Sequence, residues 1–172
     1  MRRLVLLLPV FVAAACSSGS GHGGVDDKDT RAAVADLFQR NAAEAPANSS
    51  CTGSLEWKVG ATEKCTASDG AGKAWPVTAK VAKITGDKAD VEASFDDRVV
   101  GVDDAKANIT TMYRQIADND VASVDCKGLQ RLEANSSRKC TVTEVGGKTV
   151  GVTYVVSAVR GDGYSYEVNL GG

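Results

Sequence analysis

Residues 64–81 read KCTASDGAGKAWPVTAKV, and residues 139–156 read KCTVTEVGGKTVGVTYVV. Laid one over the other, Lys64-Cys65-Thr66 falls on Lys139-Cys140-Thr141, Gly72-Lys73 on Gly147-Lys148, and Val77-Thr78 on Val152-Thr153. The offset is 75 residues, and the same offset takes Cys51 to Cys126. Extended outward without gaps, the match runs from Val25–Phe95 to Val100–Leu170, with Gly53 on Gly128, Gly86-Asp87 on Gly161-Asp162 and Glu92 on Glu167. Self-similarity at one fixed offset marks internal repetition. Residues 25–97 and 98–172 are read as two tandem copies of one unit.

Within each copy the hydrophobic period changes once. Ile109, Met112, Tyr113, Ile116 and Ala117 recur at helical spacing, as do Val34, Leu37, Phe38 and Ala42; each stripe is one face of an amphipathic helix. Asp29 and Asp103-Asp104 stand at the helix entrances, where carboxylates suit free N–H groups and the dipole. Further along, Val150, Val152, Tyr154 and Val156 alternate, as do Tyr164, Tyr166, Val168 and Leu170. Period two in β-branched and aromatic residues predicts strands, and the intervening GGK and RGDG segments predict hairpin turns. A short strand is expected near Leu55–Val59 and near Gln130–Ala134. Pro76 aligns with Gly151, which predicts a bulge or an edge position there. The fold class is α+β: each copy is an N-terminal helix on a three- to four-stranded antiparallel sheet. The short link Asp96–Val99 places the copies in contact.

Four cysteines, Cys51, Cys65, Cys126 and Cys140, allow three pairings. Repetition favours Cys51–Cys65 and Cys126–Cys140, because each copy then carries its own bridge. A bridge closing a loop of about 15 residues contributes about 3 kcal/mol in the chain-entropy model, which matters to a small core. The spacing is not CxxC and no histidine lies in either copy, which argues against a redox pair or a zinc site.

This order of helix, cysteine, about thirteen residues, cysteine and glycine-turned strand pair resembles a small two-cysteine domain of unknown function. That domain occurs in secreted, membrane-tethered and lipid-anchored actinobacterial proteins. Its members often carry proline after the first cysteine, where Thr52 and Lys127 stand here. The resemblance implies a fold and a location outside the cytoplasm, and no activity.

The N-terminus agrees on location. Arg2-Arg3 precedes an apolar run, Leu4–Ala15, that is too short to span a bilayer and reads as a signal peptide. Ala13-Ala14-Ala15-Cys16 resembles a bacterial lipobox, with Cys16 the residue to be lipidated. Stable anchoring needs more than one acyl chain, as such lipoproteins carry. Residues 16–24, rich in Ser and Gly, make a flexible tether. Removing residues 1–15 takes Arg2 and Arg3 and no acid, so the 20 basic residues fall to 18 against 22 acidic, a formal charge of −4. A mildly acidic body is a poor match for nucleic acid or anionic head groups.

No catalytic set is legible. His22, the single histidine, lies in the tether. Asp26-Asp27-Lys28-Asp29, Asp96-Asp97, Asp103-Asp104 and Asp118-Asn119-Asp120 lack the spacing of a calcium loop and read as caps and turns. Gly70-Ala71-Gly72-Lys73 and Gly146-Gly147-Lys148 lie between strands and read as hairpins rather than phosphate loops. Trp57, Trp75, Tyr154, Tyr164 and Tyr166 read as core or half-buried strand residues. No metal or cofactor is expected. The expected function is a non-catalytic binding or scaffolding module, lipid-anchored at the outer face of the cytoplasmic membrane, with an envelope protein as partner. The alternatives are a carrier of a lipid or other apolar ligand, for which Ala33 and Ala42 leave room, and a carboxylate-based envelope hydrolase.

Overall fold

The structure is a computed structural model and describes residues 23–171. The signal segment, Cys16 and His22 lie outside the described residues. Helix α1 (Asp27–Ala42) is followed by β1 (Asn48–Cys51), β2 (Thr62–Ser68), β3 (Ala74–Thr85) and β4 (Lys88–Phe95). These strands form one antiparallel sheet in the order β1-β2-β3-β4. A two-residue strand β5 (Val99–Val100) leads into α2 (Val102–Ala117), followed by β6 (Val121–Cys126), β7 (Gln130–Arg131), β8 (Ser137–Glu144), β9 (Thr149–Arg160) and β10 (Gly163–Leu170). Strands β6, β8, β9 and β10 form a second antiparallel sheet, and β5 pairs with β7.

Each helix lays its apolar face on one sheet. Val34, Leu37, Phe38 and Ala42 of α1 are buried with Trp75, Val77, Ala79 and Val81 of β3. In the C-terminal half Val102, Ala105, Ile109 and Tyr113 of α2 are buried, and Val142, Val152, Tyr154 and Val156 join them in one core. Each such side chain contributes about 1.5–3 kcal/mol by leaving water. Ile116, predicted for this stripe, is 51% exposed. The buried face runs through positions 102, 105, 109 and 113; Ile116 continues that face into the last turn of α2, where it is exposed. Leu170 is likewise exposed, at the end of edge strand β10.

Cys51 is bonded to Cys65 and Cys126 to Cys140. The first cysteine of each pair ends a strand rather than lying in a loop, and faces its partner directly across the ladder. The Thr52 N–H donates to the Lys64 carbonyl at 3.0 Å. Cys51 and Cys65 therefore form a non-hydrogen-bonded pair, the closer kind of cross-strand neighbour. The strand expected at Leu55–Val59 is absent. Leu55 instead buries its side chain in the core and accepts the Val25 N–H at its carbonyl at 2.7 Å, and Trp57 and Lys58 lie in a bend. In the other half the expected strand shrinks to β7.

Pro76 and Gly151 stand neither on an edge strand nor at a bulge. Both lie near the start of central strands, where the partner strand is just ending: Asp96 N–H donates to the Pro76 carbonyl at 3.0 Å, and Gly171 N–H to the Gly151 carbonyl at 2.8 Å. The missing proline donor therefore falls at the end of the ladder, where it costs little. The register shifts occur further on, and leave Ala82 and Ser157 as the extra residues. Asp29 and Asp103-Asp104 stand in the first turns of the helices, as expected, but the caps themselves are other residues. Asp26 caps α1 by accepting from the Lys28 N–H at 2.9 Å, and Gly101 precedes α2 without a side-chain bond.

The halves meet end to end. Gly128 N–H donates to the Ala42 carbonyl at the C-terminal end of α1, at 3.0 Å. Leu129 packs into the N-terminal core and Ala43 into the C-terminal core. Arg131 pairs with Asp97 at 3.0 Å, and its guanidinium lies 5.3 Å from the Trp75 ring centre. Arg98 donates to the carbonyls of Gly161 and Asp162, at 2.7 and 3.0 Å.

Candidate functional site

A groove of about 720 Å³ opens on the N-terminal half. One wall is the outer face of α1, where Asp29, Ala32, Ala33 and Asp36 follow helical spacing, with Asp26 at its entrance. The other is the β3–β4 turn and early β4, Asp87–Val91. Trp57, half-buried in its bend, completes the lining. The helix exposes this face because its apolar stripe is turned to the sheet. The β3–β4 hairpin reaches it because β3 runs for 12 residues. Five aspartates and one lysine line the groove. Chemically it is a trough of negative potential beside one aromatic surface, suited to cationic groups.

In the C-terminal half large side chains gather beside α2: Asn108 lies 75 residues after Ala33, and Tyr154, Tyr164 and Tyr166 lie 75 after Ala79, Ala89 and Val91. The Asn108 amide donates to the Tyr154 hydroxyl at 2.9 Å and to the Tyr164 hydroxyl at 3.3 Å. Tyr154 and Tyr166 stack with ring centres 5.3 Å apart. Burial, and after it the Tyr164 hydroxyl, push the Tyr154 phenol well above its ordinary range.

A second polar centre lies in this core. Arg138 is 5% exposed and donates to the Val100 carbonyl at 2.7 Å, while its Nε and Nη1 have no hydrogen-bond partner. Burial lowers its pKa to about 10. The Gln130 side chain donates to the Ser136 carbonyl at 3.0 Å and leaves its own buried Oε1 without a partner. Neither residue was singled out from the sequence. An arginine in a Ser-Ser-Arg-Lys stretch carries no sign of burial, and only its place between outward-facing Ser137 and Lys139 assigns it to the inner face.

The acidic clusters do not converge. Asp26 caps α1, Asp27 pairs with Arg31, Asp96 with Lys64, Asp97 with Arg131 and Asp120 with Arg114. Asp103 and Asp104 occupy the first turn of α2, and Asp118 is its left-handed C-cap. Among the described residues no three His, Cys, Asp or Glu side chains are grouped to hold a metal ion. Gly72 and Gly147 sit in the β2–β3 and β8–β9 turns with φ of 80° and 83°, backbone that glycine adopts freely. Trp75 and Tyr154 are fully buried, and Trp57, Tyr164 and Tyr166 half-buried.

A DUF4333 domain of unknown function is found at residues 11–86. The DUF4333 match takes in α1, the Cys51–Cys65 bridge and Trp57, and ends in the β3–β4 turn at the rim of the groove. No curated protein and no solved structure matches the chain. Among the described residues no helix is long and apolar enough to cross a membrane.

Proposed function

We propose that the chain is a lipid-anchored, non-catalytic binding module of the cell envelope, held at the outer face of the cytoplasmic membrane through Cys16. Its N-terminal groove takes a basic segment of a partner protein. The observation that carries this reading is the contrast between the open, aspartate-lined groove beside Trp57 and the tyrosine-filled region of the C-terminal half. One half docks and the other supports it.

We further propose that residues 25–97 and 98–172 are tandem copies, the second being a diverged copy of the DUF4333 domain, of the actinobacterial envelope type. Several coincidences at the 75-residue offset support this: the two bridges, the extra residues Ala82 and Ser157, and the bonds onto Pro76 and Gly151. A carrier of apolar ligands draws less support. Ala33 lines the groove, but carboxylates dominate it, and Ala42 is packed in the core.

The test is cross-linking on intact cells followed by purification of the chain. One dominant partner with a lysine- or arginine-rich segment is expected. It should diminish in Cys16→Ala and in the triple variant Asp29→Asn, Asp36→Asn, Asp90→Asn. With purified protein, oligolysine should quench tryptophan emission, and 0.5 M salt should abolish the effect, since the Debye length there falls to roughly 4 Å. A partner retained in full by the triple variant rejects the groove as its site.

A further inference from the structure

We propose that the basic segment taken by the groove is membrane-proximal: it is the outer stretch nearest the bilayer of a protein that itself spans the membrane. The inference rests on the reading above, the Cys16 anchor and the groove, and adds where the partner's cations must lie.

The starting point is where the chain leaves the fold. Val25 is buried in the N-terminal core, and its N–H donates to the Leu55 carbonyl at 2.7 Å. Gly24, just before it, lines the groove together with Asp26, Asp29 and Trp57. The chain therefore enters the fold at the groove rim. Residues 16–23 alone lead from Cys16 to Gly24, and these eight steps reach at most about 29 Å on any path. A lipid on Cys16 keeps the rim of the groove within that distance of the bilayer surface. The C-terminal half joins the other end of α1, about 24 Å along this 16-residue helix, where Gly128 meets the Ala42 carbonyl. The open groove thus belongs to the tethered half, and the tyrosine cluster to the remote one.

Charge and its strength narrow the occupant. Asp29, Asp36, Asp87 and Asp90 are exposed and, among the described residues, form no ion pair. Their charge is available to a partner, with Lys88 the one cation in the lining. Ion pairs at such exposed carboxylates are individually weak and screened by salt. A groove of this kind holds a partner well when both are confined together, and a shared bilayer provides that by raising the effective concentration. A protein in free solution gets no such help. Short outer loops of membrane proteins are poor in lysine and arginine, whereas long outer segments escape that rule. The occupant is therefore the basic stalk beneath a sizeable outer domain.

A photo-crosslinking residue at Ala32, exposed on the groove wall, tests this in intact cells. The expected adduct is a membrane-spanning protein, joined at a lysine- or arginine-rich stretch within roughly ten residues of its bilayer boundary, the length a 29 Å reach allows. A 20-residue proline-rich insertion after Ser20 lies outside the fold and lifts the groove by up to about 60 Å. It should cut that adduct by at least about fivefold. An adduct with a soluble protein, with lipid, or with a distal domain overturns the proposal, as does an adduct unmoved by the insertion or none at all. The variant Asp29→Asn, Asp36→Asn, Asp90→Asn separates the two readings. An adduct lost there but indifferent to the insertion keeps the groove and rejects the membrane-proximal occupant. An adduct that survives there rejects the groove itself. Fractionation of the wild-type chain with membranes, lost in Cys16→Ala, checks the anchor independently.

Discussion

Asp69 shows how much one side chain can hold. It is 6% exposed, and its Oδ1 accepts from the N–H groups of Ala71 and Lys73 at 3.0 and 2.9 Å, while Oδ2 accepts from the Trp75 indole at 2.9 Å. Asp69→Ala strands three donors, one of them buried, and should cost about 2–4 kcal/mol in urea denaturation. Asp69→Asn should rescue this only in part, since an amide N–H would face the indole N–H. Arg138 is the opposite case. Burial taxes its charge, and its fork is used once, so Arg138→Met should leave stability unchanged or raise it by about 1–4 kcal/mol at neutral pH. Burial lowers the native guanidinium's pKa to about 10, below that of the unfolded one, so wild-type stability gains from this group as pH rises above about 10. The advantage of the methionine variant should therefore shrink above pH 10, as read by paired melts. Tyr113 and Tyr154 act the other way on both proteins. Tyr113 is raised chiefly by its bond to the Glu144 carboxylate and Tyr154 by burial, so each withdraws stability as pH climbs past 10. None of this was legible in the sequence. Asp69 precedes a glycine-rich turn and Arg138 sits in a polar run, and both contexts read as solvated.

At the scale of elements the reading from sequence did better, and its failures have physical causes. The alternation in Val150–Val156 and the GGK and RGDG breaks located β8, β9 and β10 because period and turn chemistry agreed. The strands leading into Cys51 and Cys126 were missed. Asn48–Cys51 has almost no apolar content, and is held by its ladder to β2 and by the bridge. The bridges carry a clear expectation. Replacing Cys51 and Cys65 by serine, or Cys126 and Cys140, should each cost about 3 kcal/mol. Chemical denaturation with and without reductant measures it. The caps differ as well: Asp26→Ala should cost about 1 kcal/mol by the loss of the α1 cap. The same change at Asp29, in the first turn, should cost less. The groove belongs to this scale. Of its aspartates only Asp26 and Asp29 were read from the sequence, as caps and turns; Asp36, Asp87 and Asp90 join them because the β3–β4 hairpin lies beside α1, a long-range placement that local sequence does not encode.

For the whole molecule, the junction decides whether the halves act singly. Leu129 and Ala43 cross into opposite cores, and Arg131 binds Asp97 while lying over Trp75. Unfolding followed by tryptophan emission, which reports the N-terminal half, and by near-ultraviolet tyrosine signals, weighted to the C-terminal half, should therefore give one coincident transition. Leu129→Ala should lower its midpoint, by about 1–3 kcal/mol for a partly buried leucine, and begin to separate the two signals. Sequence foresaw that the halves touch from the shortness of the link. It did not foresee which faces meet, because Gly128 and Leu129 become informative only once they are seen against the end of α1.

The bridges have a consequence in time. Each joins cysteines 14 residues apart with no other cysteine between them. A chain oxidised while it crosses a membrane from its N-terminus presents Cys51 and Cys65 together before Cys126 has emerged. The order of emergence thus selects the native pairing out of three, with no need for reshuffling. A fully reduced chain released all at once loses that guidance, and its slowest recovery steps should be exchange between wrongly paired thiols.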